Sequence, residues 1–483
     1  MLNIKDLLIK AKKFYDDKKF FEAEDIIKQV IEDVKLDNST RLKLYALLSD
    51  ICYKINNFND AELYLLKYYK EDGNNSEILN SLGNIYEKKR DFKNSEIFYL
   101  KSIQENKNNE IALSNLAILY HNLGREKDAK KFYNKVLSIN SNNIGALYNL
   151  SNIDKSIIDE KKITLLKNLI KNEKLNTFDI ASCYFILAEN EKKNKNFNKE
   201  IDLLKHANEF SYQKKKSLHT QSNNYWLKVL PTKFDKIKYN KTEGEIQNTD
   251  GFYPIFIIGL PRCGSTLIES VISSGVDNVQ NLGETNLVNW AFLNINRNLF
   301  IDNNNVIKNS VNLKATADRL LTAIKNLSIK KNSHGKYFFS EKSLENFFYV
   351  ELLLEIFPNA KFINPNRNPF DNIYAIYKQF LSNISWSHSI ENILIYIDNY
   401  LKIIDFLKKK YPDKILSISL EDFTSNPKKF AMQIFNFCNL EWTEKCLDFY
   451  KRDDLFINTA SNNQIRNSIT KYDSNKYKVY RDR

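Results

Sequence analysis

Six residues, Leu79, Leu82, Gly83, Tyr86, Ser95 and Tyr99, recur 34 residues further on as Leu113, Leu116, Ala117, Tyr120, Ala129 and Tyr133. One period earlier the same columns hold Tyr45, Leu48, Ser49, Cys52, Ala61 and Leu65. A fixed period constrains a fold more tightly than composition, because each unit must bury its apolar face on the next. Helical amphipathicity alone spaces apolar residues; it does not return a small residue to one column, as Ser49, Gly83 and Ala117 do. Less regular copies begin at Leu7, with Ala11, Phe14, Ala23 and Ile27, and near Tyr184, with Leu187, Ala188, Leu204 and Ala207.

The pattern resembles the tetratricopeptide repeat (TPR), in which small residues let paired helices approach and large apolar residues fill the space between them. The resemblance implies an α-solenoid over residues 1–210 whose concave face takes a protein or an extended peptide. From about residue 211 the period disappears, and a polar, mixed stretch reads as a connector over 211–250 with a short helix or two.

A chain of 483 residues has room for a further domain after the repeats. Hydrophobic residues at 43% exclude a largely disordered chain, and 11 Gly with 8 Pro argue against a turn-rich all-β protein. The net charge of +13 comes from lysines scattered through the sequence and not gathered into a tract, so it reads as solvated surface plus an anion site, with no nucleic-acid partner. Cys52, Cys183, Cys263, Cys438 and Cys446 show no C-x-x-C spacing, and His121, His206, His219, His334 and His388 show no ligand spacing, so neither a disulfide framework nor a metal site is expected. The opening stretch lacks the apolar segment of a signal peptide, and no apolar run reaches the length of a membrane span; a cytoplasmic protein is expected.

The chemistry concentrates at "YPIFIIGLPRCGSTLIESVISS". "YPIFII" reads as a buried strand, and Leu267, Ile268, Val271 and Ile272 line one face of a following helix. A strand, a tight loop and a helix N-terminus make an anion site, because backbone N–H groups converge there. Cys263, Gly264, Ser265 and Thr266 supply the loop and its hydroxyls, and Arg262 supplies a charge. The spacing is that of a P-loop, but Ser265 stands where the phosphate-gripping lysine belongs, which handicaps triphosphate hydrolysis. "ILSISLED" imitates the acidic strand that holds magnesium in nucleotide hydrolases, which keeps a divergent kinase open as a reading.

Several ordered segments, "GLPRCGSTLIESVISS", "NLGETN", "FSEKSLENFFYVELLLEIFPNAKFI", "RNPFDNIYAIY", "ILSISLEDFTSNP" and "TASNNQIRNSI", resemble the TPR-containing sulfotransferases related to protein-tyrosine sulfotransferases. The resemblance implies a P-loop-like α/β domain with a parallel sheet over 251–483. It also implies 3′-phosphoadenosine 5′-phosphosulfate (PAPS) as donor, no metal, and a hydroxyl acceptor such as a peptide tyrosine. By the same resemblance Glu284 is the general base, while Lys342, Arg262 and Ser461 stabilise charge at the transferred group. Arg367 pairs with the donor's 3′-phosphate, and Arg466 and Lys476 fall near it. The chain departs from the family where an expected serine is Ala375, an aromatic is Leu420, and an Asp-Lys-x-Pro signature has become Glu341-Lys342-Ser343-Leu344. These departures predict weaker donor binding with the catalytic groups retained. A catalytically weak TPR scaffold is the alternative reading.

Overall fold

Where the sequence repeats, helices pair. The computed structural model describes residues 4–32, 36–171, 175–213, 215–237, 239–240, 244–276, 279–296, 311–327, 329–332, 335–452, 454–459, 461–473 and 477–480. Helices α1 (Ile4–Asp16) and α2 (Phe20–Ile31), α3 (Asn38–Lys54) and α4 (Phe58–Glu71), and α5 (Ser76–Lys88) and α6 (Phe92–Glu105) pack in succession, followed by α7 (Glu110–Asn122) and α8 (Glu126–Ile139). The small column has a steric cause: a Cβ on Gly83 would lie 2.5 Å from the Tyr99 ring. This column bonds to the facing column of Ala61, Ser95 and Ala129 across the pair, Ser95 Oγ donating to Gly83 O at 2.9 Å and Ser49 Oγ to Ala61 O at 2.8 Å. Leu79, Leu82, Leu113, Leu116, Ala117 and Tyr133 are buried, so the repeat columns are the core of these helices. One compact unit comprises Met1–His121, Arg125–Asn143 and Leu321–Ile329.

The second unit comprises Asn122–Gly124, Ile144–Leu320 and Lys330–Arg483. The fading of the period near residue 210 therefore does not coincide with the division of contacts. Helices α9 (Ile144–Ile153), α10 (Glu160–Ile170), α11 (Thr177–Lys193) and α12 (Phe197–Gln213) belong to this second unit, where Asn208 Nδ2 donates to Tyr377 O at 3.0 Å. The expected connector is largely helical, with α13 (Lys216–Asn224), a π-turn at Tyr225–Val229 and α14 (Leu230–Lys233).

Strands β1 (Tyr239–Asn240) and β4 (Val311–Asn312) form a two-residue pairing. The main sheet has five parallel strands in the order β3 (Gln280–Asn281), β5 (Tyr337–Glu341), β2 (Phe252–Ile257), β6 (Lys361–Asn366) and β7 (Ile415–Ser419). Its central strand β2 is a continuous apolar run, as a parallel strand covered on both faces must be, while β5 and β6 turn polar toward their carboxyl ends at Ser340-Glu341 and Asn364. Pro254 sits in the part of β2 that pairs only with β5, and Pro365 in the part of β6 that pairs only with β7, so neither missing N–H breaks a ladder. Connecting helices are α15 (Ser265–Ile272), α16 (Leu287–Asn296), α17 (Leu313–Lys325), α18 (Val350–Ile356), α19 (Pro369–Tyr377), α20 (Ile390–Lys410), α21 (Leu420–Ser425), α22 (Pro427–Phe437) and α23 (Asn462–Ile465). Among the described residues no helix is long and apolar enough to cross a membrane.

Candidate active site at the carboxyl ends of the strands

The loop "GLPRCGST" leaves the carboxyl end of the central strand β2 and enters α15 through Gly264, whose φ of +93° is left-handed. That backbone conformation favours glycine, and a Cβ there would also displace the Leu420 side chain, whose Cδ1 would lie 2.7 Å away. Arg262 also has a positive φ, 67°, a cost that a non-glycine residue bears only where surrounding contacts impose it. Two of these contacts are Asn372 Nδ2 to Pro261 O at 3.0 Å and Gly259 N to Leu344 O at 2.9 Å. Ser265 and Thr266 are buried, and Thr266 Oγ1 lies 3.2 Å from Thr459 Oγ1. Cys263 is a buried packing residue, and burial pushes its thiol pKa up, away from thiolate chemistry.

Beside the loop, β5 ends at Glu341 and delivers Lys342, while β3 delivers Glu284. Lys342 N donates to Gly283 O at 2.9 Å, which aligns the two segments, and Lys342 Nζ bonds Glu284 Oε1 at 2.6 Å. Lys342 is fully buried, whereas the Glu284 side chain is 47% exposed. Burial lowers the Lys342 pKa, but Glu284, Glu269 and Glu341 outweigh it and hold the amine above its ordinary value, so it stays charged. Glu341, in the altered signature, accepts from Thr285 N at 3.2 Å and from Asn346 Nδ2 at 2.6 Å, and also bonds the Ser343 hydroxyl; it ties the Glu284 loop to the Lys342 strand.

On the other side of the loop, β6 ends at Asn366 and delivers Arg367. Arg367 Nη1 donates to Arg262 O at 2.9 Å, and Arg262 Nη1 donates to Ser461 Oγ at 2.7 Å. Neither guanidinium has a carboxylate ion-pair partner among the described residues, and the Nε of each is buried without a hydrogen-bond partner. Burial depresses the Arg262 pKa, and the neighbouring Arg367 charge adds to this. Two adjacent cations lacking a counter-charge make a site for an anion. Ser461 precedes α23 but makes no side-chain cap bond, so its hydroxyl serves Arg262 and not the helix end.

Other expectations fare differently. Arg466 is held by backbone carbonyls, donating to Asn122 O at 2.7 Å and Leu455 O at 2.6 Å. Lys476 and His334 lie outside the described residues. The acidic pair of "ILSISLED" follows the carboxyl end of β7 and sits in the first turn of α21, where Glu421 Oε1 accepts from Asn368 N at 2.9 Å. In the repeats, Glu24, Cys52 and Asp60 bring potential metal-ligand atoms within 4.8 Å of one another, and Lys28 already lies 2.7 Å from Glu24 Oε1 and 3.5 Å from Asp60 Oδ2.

Sequence reasoning missed several members of the site. Glu269 in α15 is buried, accepting from Gly283 N at 3.2 Å and Ser340 Oγ at 3.3 Å. Glu345, directly after the Lys342 segment, has its carboxyl pushed up to about 7 by burial, with Glu341 and Glu284 adding to the effect. Tyr472 receives a hydrogen bond from Arg367 Nη2. No periodicity marks these positions; only the fold brings them to the strand ends.

Residues 254–444 match the model of the sulfotransferase family, and residues 76–109 and 112–143 match the tetratricopeptide repeat. The chain thus carries a sulfotransferase-family domain behind TPRs. A protein of Aquifex aeolicus (strain VF5), called "Uncharacterized protein", is 24% identical over 333 residues, covering 66% of this chain and 42% of that protein. This chain therefore spans less than half the length of that relative. Among solved structures, the sulfotransferase domain of the Synechococcus PCC 7002 olefin synthase is 18% identical with a TM-score of 0.35, over 50% of this chain and 91% of that one. A tetratricopeptide repeat protein from Parabacteroides merdae ATCC 43184 is 16% identical with a TM-score of 0.33, over 49% of this chain and 94% of that one.

Proposed function

We propose that the second unit transfers a sulfuryl group from PAPS to a hydroxyl acceptor and that the repeats bring the acceptor or a protein partner. The observation that carries this reading is the uneven pairing of charge around one loop: Arg262 and Arg367 lack a carboxylate partner among the described residues, whereas Glu284 and Lys342 hold each other. Backbone N–H groups, the Ser265 and Thr266 hydroxyls and Arg262 suit a 5′-phosphosulfate, and Arg367 suits a 3′-phosphate through its guanidinium fork. The donor supplies the sulfuryl group and departs as adenosine 3′,5′-bisphosphate.

In this reading Glu284, solvent-facing at 47% exposure, takes the proton of the acceptor hydroxyl. Lys342, kept charged by the surrounding carboxylates, counters the charge that develops on the leaving oxygen, and Arg262, steadied by Ser461, does the same from the loop. A repeat surface suited to extended peptides favours a peptide tyrosine as acceptor.

Transfer of labelled sulfate to a tyrosine peptide tests the proposal. Glu284→Gln is expected to lower transfer by about 10²- to 10⁴-fold while adenosine 3′,5′-bisphosphate still binds. Binding without transfer in the wild-type protein would instead identify a scaffold.

A further inference from the structure

Arg367 is oriented by a residue no motif predicted. Its Nη2 donates to the Tyr472 hydroxyl, which in turn donates to Asp371 Oδ2. The hydroxyl's one proton is thus committed to the carboxylate and its lone pair to the guanidinium, so the chain from Asp371 to Arg367 has a fixed direction. Tyr472 is anchored by its own N–H to Thr424 Oγ1 at 3.0 Å, and the Arg367 Cζ lies 5.0 Å from the Tyr472 ring centre and 5.3 Å from that of Tyr477. Burial raises the Tyr472 pKa, and Asp371 raises it further, so the hydroxyl keeps its proton.

We propose that Tyr472, backed by Asp371, is the positioning residue that aims Arg367 at the 3′-phosphate of the donor, an inference that rests on the donor reading above. A carboxylate bonded directly to Arg367 would orient it and also neutralise it. A hydroxyl placed between them orients the guanidinium while leaving its charge for an incoming anion. The arrangement also bears on Ala375, where the family resemblance led us to expect a hydroxyl. Ala375 is buried one turn beyond Asp371 on α19, and in this chain the hydroxyl that reaches Arg367 comes from Tyr472.

The test compares adenosine 3′,5′-bisphosphate with adenosine 5′-monophosphate, which lacks the 3′-phosphate, by calorimetric titration of the full chain. Wild type is expected to prefer the bisphosphate. Tyr472→Phe should weaken the bisphosphate about tenfold, as the loss of one hydrogen bond to a charged group implies, and leave the monophosphate unchanged. Equal weakening of both nucleotides, or of neither, would overturn the assignment. Should Tyr472→Phe fail to fold, Asp371→Asn must show the same selective loss at a few-fold, and an unselective effect there would overturn it equally. Wild-type protein that bound neither nucleotide would overturn the donor reading itself, a failure distinct from a nucleotide-binding protein indifferent to Tyr472.

Discussion

The two flanks of the "GLPRCGST" loop treat charge in opposite ways. Toward β5, Lys342 is buried against Glu284, and Glu269 and Glu341 reinforce its charge. Toward β6, Arg262 and Arg367 touch each other through a carbonyl and, among the described residues, donate to neutral acceptors only. A buried cation with its own carboxylate needs nothing further, whereas partly buried cations without one favour whatever anion can reach them. The first flank is accordingly suited to handling a proton and a developing charge, and the second to holding a resident negative group.

The contrast predicts different losses on the two flanks. Lys342→Met fills the same space without charge but leaves Glu269 and Glu341 buried without their cation, so the melting temperature should fall while sulfate transfer by the folded variant drops about 10²- to 10³-fold. Unchanged transfer would remove Lys342 from the chemistry. Arg367→Met should instead lower affinity for adenosine 3′,5′-bisphosphate about tenfold to a hundredfold, read by calorimetry. Equal affinity in the variant would dissolve the distinction between the flanks.

Glu345 has a folded pKa of about 7, above the ordinary carboxylate value of about 4.3, so the stability it contributes is present in acid and lost as pH rises between those values. Glu345→Gln should therefore raise the melting temperature by roughly 1–3 °C at pH 8 and leave it unchanged at pH 4. A variant with the same shift at both pH values would show that burial of charge is not the cause. The smallest expected effect is that of Ala375→Ser, a gain of about twofold to fivefold in bisphosphate affinity from one added hydroxyl. A loss would mean that the buried α19 face cannot take the extra atom.

Much of this organisation is legible in the sequence because local rules and tertiary packing agree. The small column at Ser49, Gly83 and Ala117 announces helix pairs, and the reason is visible in Tyr99 lying over Gly83. Lys342 and Arg367 could be placed at strand ends because apolar, strand-like runs precede each of them. What escapes are contacts between segments far apart in the chain. Glu269 looks like a solvent-facing helix position and is buried, because α15 is covered on more than its apolar face. Glu421 and Asp422 look like the end of a strand and instead start a helix, because Ser419 caps Asp422 N at 3.1 Å. Tyr472 carries no local signal, since its role exists only where the chain after α23 meets Arg367 and Asp371.

An anion site without a P-loop lysine should accept a bisphosphate nucleotide and have no use for a magnesium triphosphate. Thermal melting of the wild-type protein with adenosine 3′,5′-bisphosphate, and separately with ATP and magnesium, tests it most directly, because a ligand that binds only the folded state raises the melting temperature. Stabilisation by the bisphosphate and little by ATP with magnesium is expected; stabilisation by ATP with magnesium alone would rule out a bisphosphate site.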